Sequence, residues 1–269
     1  MVSAVGYRTP APDYPVHYGL PSPWLTVIFS LDDGVESASE LADLPGAKPA
    51  PIIASGLHTR SSFVLQRPGQ TGIQLAVHPL AARALFARPA SELSVTEHDG
   101  RDVLGQRGVI TQERLAETSD WPEAFGLLDA HLRSAWQRRA RVEVRTELRH
   151  AWSLLEASGG RLPITEVAAR VGLTSRHLGT LFTREVGRTP KTIAQLIRFQ
   201  RAVEGIKTSV ARSGRADLAG VAARTGYADQ SHLTHDFGDR LGVPPSTWII
   251  QEFRNLQDHG SLTGTESLA

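Results

Sequence analysis

The stretch from Ile164 to Pro190, "ITEVAARVGLTSRHLGTLFTREVGRTP", returns in altered form from Leu218 to Pro245 as "LAGVAARTGYADQSHLTHDFGDRLGVPP". Val167, Ala168, Ala169, Arg170 and Gly172 recur as Val221, Ala222, Ala223, Arg224 and Gly226, at an offset of 54. Leu178, Phe182, Gly187 and Pro190 recur as Leu233, Phe237, Gly242 and Pro245, at an offset of 55, so one residue has been inserted in the turn. Whatever this part of the chain folds into, it contains one supersecondary unit made twice.

Each unit reads as helix, tight turn, helix. Ile164, Val167, Ala168 and Val171 fall at helical spacing and make one apolar stripe. Gly172 then stands where the chain reverses, a position that favours positive φ. Thr174 is placed to cap the next helix, and Asp229 has the same place in the second unit. This is the helix-turn-helix arrangement, whose second helix enters a DNA major groove. At about 100° per residue, Leu178, Leu181 and Phe182 point inward while Arg176, Thr180 and Thr183 lie opposite, with Arg184 at their edge. In the second unit Leu233 and Phe237 point inward. Ser231, His235 and Gly238 lie opposite, Thr234 lies beside them, and Gln230 projects from the N-terminal end. Short hydrogen-bonding side chains of this kind suit base edges better than a merely solvated helix face.

Between the units runs "TPKTIAQLIRFQRAVEGIK", with Thr189 as N-cap and Pro190 at the first helical position. Its apolar stripe continues to about Lys207, which predicts a helix of roughly 27 Å. Such a helix holds two reading helices at nearly one turn of duplex, about 34 Å. Lys191, Arg198 and Arg201 lie along it, with Arg198 also a candidate for a buried structural partner. Charge agrees with a polyanion partner: residues 1–140 carry 12 Lys and Arg against 15 Asp and Glu, whereas residues 141–259 carry 17 against 12.

Residues 142–256 resemble the DNA-binding domain of the AraC/XylS family of transcriptional regulators. The resemblance is carried by "EVAARVGLTSRHLGTLFTREVGRTP", by "RFQRA" and by "VAARTGYADQSHLTHDFGDRLGVPPSTW", which contains the family's GY-x-D-x-x-x-L-x-x-x-F-x-x-x-x-G-x-x-P run. It implies seven helices, the middle one joining two helix-turn-helix units. Base contacts are then expected at Arg176, Gly179, Thr180, Gln230, Ser231, Thr234 and His235, and phosphate contacts at Thr183, Arg184 and Lys191. Gly179 departs from the pattern, since it occupies a reading position without a side chain. Asp236 and Asp239 are expected to place negative charge near the second groove. The expected division is a sensor or dimerisation domain at 1–141, the DNA-binding domain at 142–257, and a flexible tail at 258–269. The seven helices carry their own apolar faces, so the second domain is expected to fold alone.

The first half gives an α+β reading. "WLTVIFSL" (24–31), "APIIASGL" (50–57), "SFVLQR" (62–67) and "GIQLAVHP" (72–79) read as strands of an antiparallel sheet or barrel. "PLAARALF" (79–86) and "PASELS" (89–94) switch to helical periodicity, and the run that contains them resembles one branch of the same regulators, in which a cupin-like β-domain precedes helices. Trp121, Phe125, Leu128, Leu132 and Trp136 form a helical stripe, read either as a dimer seam or as packing on its own sheet. Leu148, Trp152 and Leu155 give another helix, ending at Gly159-Gly160.

Catalysis is not expected. His17, His58, His78 and His98 are scattered, and no HxH pair, HExxH, GxSxG or phosphate-binding loop is present. His232 and His235 are three apart but lack further ligands, and the chain has no cysteine. Neither metal nor cofactor is expected. No apolar run approaches the length of about 20 residues that spans a bilayer, and the N-terminus lacks a secretory apolar core, so the expected location is cytoplasmic. Two readings stand. In one, the sheet domain binds a small effector in a cavity near Trp24, Phe29 and Phe63 and so controls DNA binding, with RNA polymerase as a further partner. In the other, it serves only to assemble a homodimer.

Overall fold

The computed structural model describes residues 2–11, 14–93, 98–118, 120–139 and 144–257. The expected boundary at 141/142 and the tail at 258–269 lie outside them.

Eight strands are described in the first half: β1 (Val2–Arg8), β2 (Val16–Gly19), β3 (Leu25–Ser30), β4 (Glu36–Ala38), β5 (Ile52–Ser55), β6 (Ser62–Leu65), β7 (Thr71–Val77) and the short β8 (His98–Asp99). They form a five-stranded sheet in the order β1-β7-β3-β5-β8 and a three-stranded sheet in the order β2-β6-β4. Every pairing is antiparallel; Val27 lies opposite Ala54 on one side and Leu75 on the other. Period-two alternation sends the two faces of the large sheet to different places. Leu25, Val27, Phe29, Ala54, Ile73 and Leu75 join the main core, while Ile28 and Ile53 form a small cluster with Val35 on which Tyr7 and Val64 pack.

The four expected strands are present as β3, β5, β6 and β7, and the fold is α+β. Strands β1, β2, β4 and β8 were not anticipated, being short or at sheet edges. Four helices lie between the sheets and the first repeat unit: α1 (Ala82–Phe86), α2 (Gly100–Glu117), α3 (Trp121–Arg138) and α4 (Thr146–Ala157). Helix α2 had no sequence signal, because its buried positions are Gly100, Val103, Gly108, Gln112 and Leu115, which make no apolar stripe. Gly105, at φ 67°, also breaks it in the middle. The stripe on α3 is largely spent on its own domain. Trp121 lies against Gly6 so closely that a Cβ there would meet its ring at 2.5 Å, and Phe125 and Leu128 are buried. Only toward its end does the stripe open, with Trp136 half exposed at 50%.

Six further helices follow: α5 (Ile164–Arg170), α6 (Ser175–Val186), α7 (Pro190–Ser213), α8 (Leu218–Thr225), α9 (Gln230–Leu241) and α10 (Pro245–Gln257). With α4 they are the seven expected helices. Helix α7 is longer than the sequence stripe predicted: its 24 residues reach Ser213 and stop at Gly214, φ 68°, for a length of about 36 Å. Buried Ser209 and Val210 extend its inner face past Lys207. Gly160 lets the turn that follows α4 approach α7 closely, since a Cβ there would lie 2.0 Å from the Ala194 carbonyl oxygen.

The main core draws residues from both sides of the segment that holds the expected boundary. One continuous cluster runs from Phe29, Ile73, Phe125 and Leu128 to Trp152, Phe182, Ile193 and Ile197. A second, smaller cluster begins two residues further along α7 with Phe199 and gathers Val203, Ile206, Tyr227, Phe237 and Trp248. The first repeat unit thus shares its core with the sheet domain.

Candidate nucleic-acid interface

In each repeat unit a short helix fixes a longer one across a turn made by glycine at positive φ, 71° at Gly172 and 85° at Gly226. Both long helices are 12 residues and both are capped by the side chain that the sequence proposed. Thr174 Oγ1 accepts from the His177 amide at 3.2 Å, and Asp229 Oδ1 accepts from the His232 amide at 2.7 Å. Caps of this type contribute about 1 kcal/mol and leave the first turn rigid. The inward residues Leu178, Leu181, Phe182, Leu233 and Phe237 are buried.

Burial of those residues leaves the opposite faces outside. Arg176, Thr180, Thr183 and Arg184 are exposed on α6, as are Gln230, Ser231 and His235 on α9, with Thr234 half-buried. Gly179 faces open space, with nothing within 4 Å of where its Cβ would stand. The Thr180 hydroxyl donates to the Arg176 carbonyl at 3.1 Å, so this residue offers its methyl and lone pairs outward rather than a free donor. Lys191 is exposed on the first turn of α7. Arg184 has a neighbouring counter-charge, its Nε lying 3.2 Å from Glu185 Oε1.

Three charges turn out to serve the fold instead. Asp236 does not stand free beside the outward residues of α9: it accepts from the Tyr227 hydroxyl at 2.7 Å and from Arg240 Nε at 2.9 Å. The sequence could not show this, because the turn brings Tyr227 back onto α9. Arg198 lies over the Tyr227 ring, 5.0 Å from its centroid. Arg201 donates to the Glu156 carbonyl at 2.7 Å and ties α7 to the end of α4.

The sheet domain grips both units at the C-terminal ends of their exposed helices. Arg83 pairs with Glu185 through contacts of 2.6 and 3.2 Å, and the Ser91 hydroxyl donates to the Arg184 carbonyl at 2.5 Å. Arg188 donates to the Leu57 carbonyl from Nη2 at 2.8 Å and from Nε at 3.2 Å. Arg240 Nη1 donates to the Thr59 carbonyl at 3.2 Å, and the Arg240 carbonyl accepts from the Ser61 amide at 2.8 Å. Sequence reasoning missed these residues. One signal was present: Arg240 stands on the inward side of α9 beside Phe237 and Leu241, where a cation needs a partner.

The proposed effector residues sit in three different environments. Phe29 is fully buried in the main core, Trp24 packs edge-on against His78, and Phe63 packs against Tyr18. An apolar cleft of about 370 Å³ lies between β1, α1 and α3, lined by Val2, Ala4, Leu85, Leu128, Leu132 and Trp136, with Gln137 and the ion pair of Arg133 and Asp129 also on its wall. Among the described residues no group of three His, Asp or Glu side chains could hold a metal ion, and no helix is long and apolar enough to cross a membrane.

Residues 167–250 match the helix-turn-helix domain family. No curated protein matches the chain by sequence. Among solved structures the chain is similar to ToxT from Vibrio cholerae. One ToxT structure is 12% identical with a TM-score of 0.54, over 93% of this chain and 98% of that one. A second, bound to (E)-4-(8-methylnaphthalen-1-yl)but-3-enoic acid, is 15% identical with a TM-score of 0.52 over the same shares. A third, with an unsaturated fatty acid bound, is 10% identical with a TM-score of 0.50, over 93% of this chain and 95% of that one. At these identities the likeness is one of fold, and it extends over both halves of the chain.

Proposed function

We propose that this chain, whose C-terminal part is a helix-turn-helix domain of the AraC type, is a sequence-specific DNA-binding transcriptional regulator and not an enzyme. Helices α6 and α9 enter successive major grooves on one face of the duplex. Arg176, Thr180, Gln230, Ser231, Thr234 and His235 read base edges, Gly179 permits close approach, and Thr183, Arg184 and Lys191 meet phosphates. The observation that carries this reading is the pair of equal, capped helices whose apolar sides are buried and whose polar sides are exposed. Residues 1–141 act as the controlling part and residues 142–257 as the DNA-binding part, with RNA polymerase as the onward partner.

The effector class we infer is an apolar carboxylic acid. ToxT structures hold an unsaturated fatty acid and a naphthalenyl butenoic acid. Here the apolar cleft beside α3 is of ligand size and carries Arg133, which a ligand carboxylate would share with Asp129, its partner at 2.6 Å on the same wall. A second reading, a dimer without an effector, is favoured by one observation: the sheet interior around Phe29 is filled by its own side chains. Thermal shift with medium- and long-chain acids separates the two, since only the first gives stabilisation by ligand.

The DNA reading is tested by selection from random duplexes. Arg176→Ala should cost about 1–3 kcal/mol on the preferred site and relax one base pair, as Arg pairs bidentately with guanine. Gln230→Ala should do the same in the other groove. If both variants select the wild-type sequence with equal stringency, these side chains do not read bases.

A further inference from the structure

The loop from Leu57 to Ser61, between β5 and β6, touches both helix-turn-helix units. At one end its Leu57 carbonyl takes two N–H groups of Arg188, which directly follows the Gly187 cap of α6. At the other, Thr59 and Ser61 bond the side chain and the carbonyl of Arg240 in the last turn of α9. Both attachments are built. Leu57 is 3% exposed in the main core, and Arg240 is 8% exposed, held by Asp236 and by the Phe199 ring at 5.1 Å. The loop therefore joins the larger core to the smaller one beside α7, bridging the point on α7 where the two cores part.

From these contacts we infer that Arg188 and Arg240 are positioning residues which, through the Leu57–Ser61 loop, fix the distance and phase between α6 and α9 and so set the half-groove spacing that the protein accepts. The inference rests on the DNA-binding reading above. Four peptide units reach at most about 14 Å, so the brace sets a ceiling on how far the two helix ends can part. It acts at the C-terminal ends, whereas base edges are met by the N-terminal residues of a reading helix. The brace thus leaves the DNA-facing surface clear. Helix α7 alone would set the spacing less firmly, because a single helix of about 36 Å can bend and twist between its ends. A change of one base pair moves the second groove by about 3.4 Å and about 35° around the duplex, a displacement that a braced pair of helices cannot follow.

The test uses the full chain and the two half-motifs selected by wild type, joined by spacers that vary by a few base pairs. Wild type should prefer one spacing over its one-base-pair neighbours by about tenfold or more, the scale of a single mismatch. Two variants break the brace by different means: Arg188→Ala removes its donors, and two glycines inserted after Thr59 lengthen the loop by about 7 Å. Either should reduce that preference to about threefold or less while affinity for an isolated half-motif stays within about twofold. Arg188 is not among the base or phosphate contacts, so a general loss of binding is not expected. A loss of stability alone would lower binding at all spacings equally and would not flatten the profile. If one variant fails to fold, the other still decides. An unchanged spacing profile in the folded variant overturns the inference and leaves the DNA-binding reading standing. A wild type that selects no sequence removes both.

Discussion

His78 sits between two indoles, 5.5 Å from the Trp24 ring and 4.6 Å from the Trp152 ring, and its Nδ1 accepts from the Leu80 amide. Burial pushes its pKa down to about 4. An unfolded chain binds this proton near 6.5, so the folded state loses stability as pH falls from about 6.5 to about 4 and keeps all of it above that window. Burial also lowers His17 and His131, which act in the same direction. His78→Asn keeps an acceptor for the Leu80 amide but removes the titration. Urea denaturation at pH 7 and pH 4.5 should show wild type losing on the order of 2 kcal/mol more than the variant. Equal losses would mean that His78 titrates freely in the folded protein. The outward residues of α6 and α9 could be read from sequence because inward Leu and Phe residues at helical spacing fix every other side chain by angle. Asp236 could not, since its partner Tyr227 arrives through the turn. Nor could the burial of Phe29, which depends on which sheet face the helices cover.

At the level of elements, the repeat, its caps and its glycine turns were all written locally, in residues within a few positions of one another. Helices α5, α6, α8 and α9 follow directly. Strand β1 and helix α2 depend on long-range packing instead, β1 on an edge beside β7 and α2 on a face that includes two glycines and a glutamine. Gly179 is a weak point that the sequence announced within α6. It is helical, it is not at positive φ, and open space surrounds its missing Cβ. Gly179→Ala should therefore raise stability by about 0.5–1 kcal/mol. Calorimetry of the free protein checks this, and a drop in melting temperature would show that α6 needs the glycine's backbone freedom.

Over the whole molecule the decisive fact is the shared core. A fragment beginning near residue 142 would lose the His78 face of Trp152, the Arg83–Glu185 pair and the Leu57 anchor together. The apolar faces that remain belong to seven helices, but the first unit's face was completed by the sheet domain. The fragment should melt well below the full chain and expose enough apolar surface to bind a hydrophobic dye, in contrast to the independent folding that the sequence suggested. An unchanged melting temperature would show that the junction contributes nothing to stability. The parting of the cores between Ile197 and Phe199 carries a further consequence, for time rather than strength. A single helix serves two cooperative units, so its amides should fall into two classes when the protein is placed in deuterated water. Those up to Ile197 exchange only when the larger body opens, and those beyond Phe199 exchange with the smaller one. One continuous rod would then record two separate clocks.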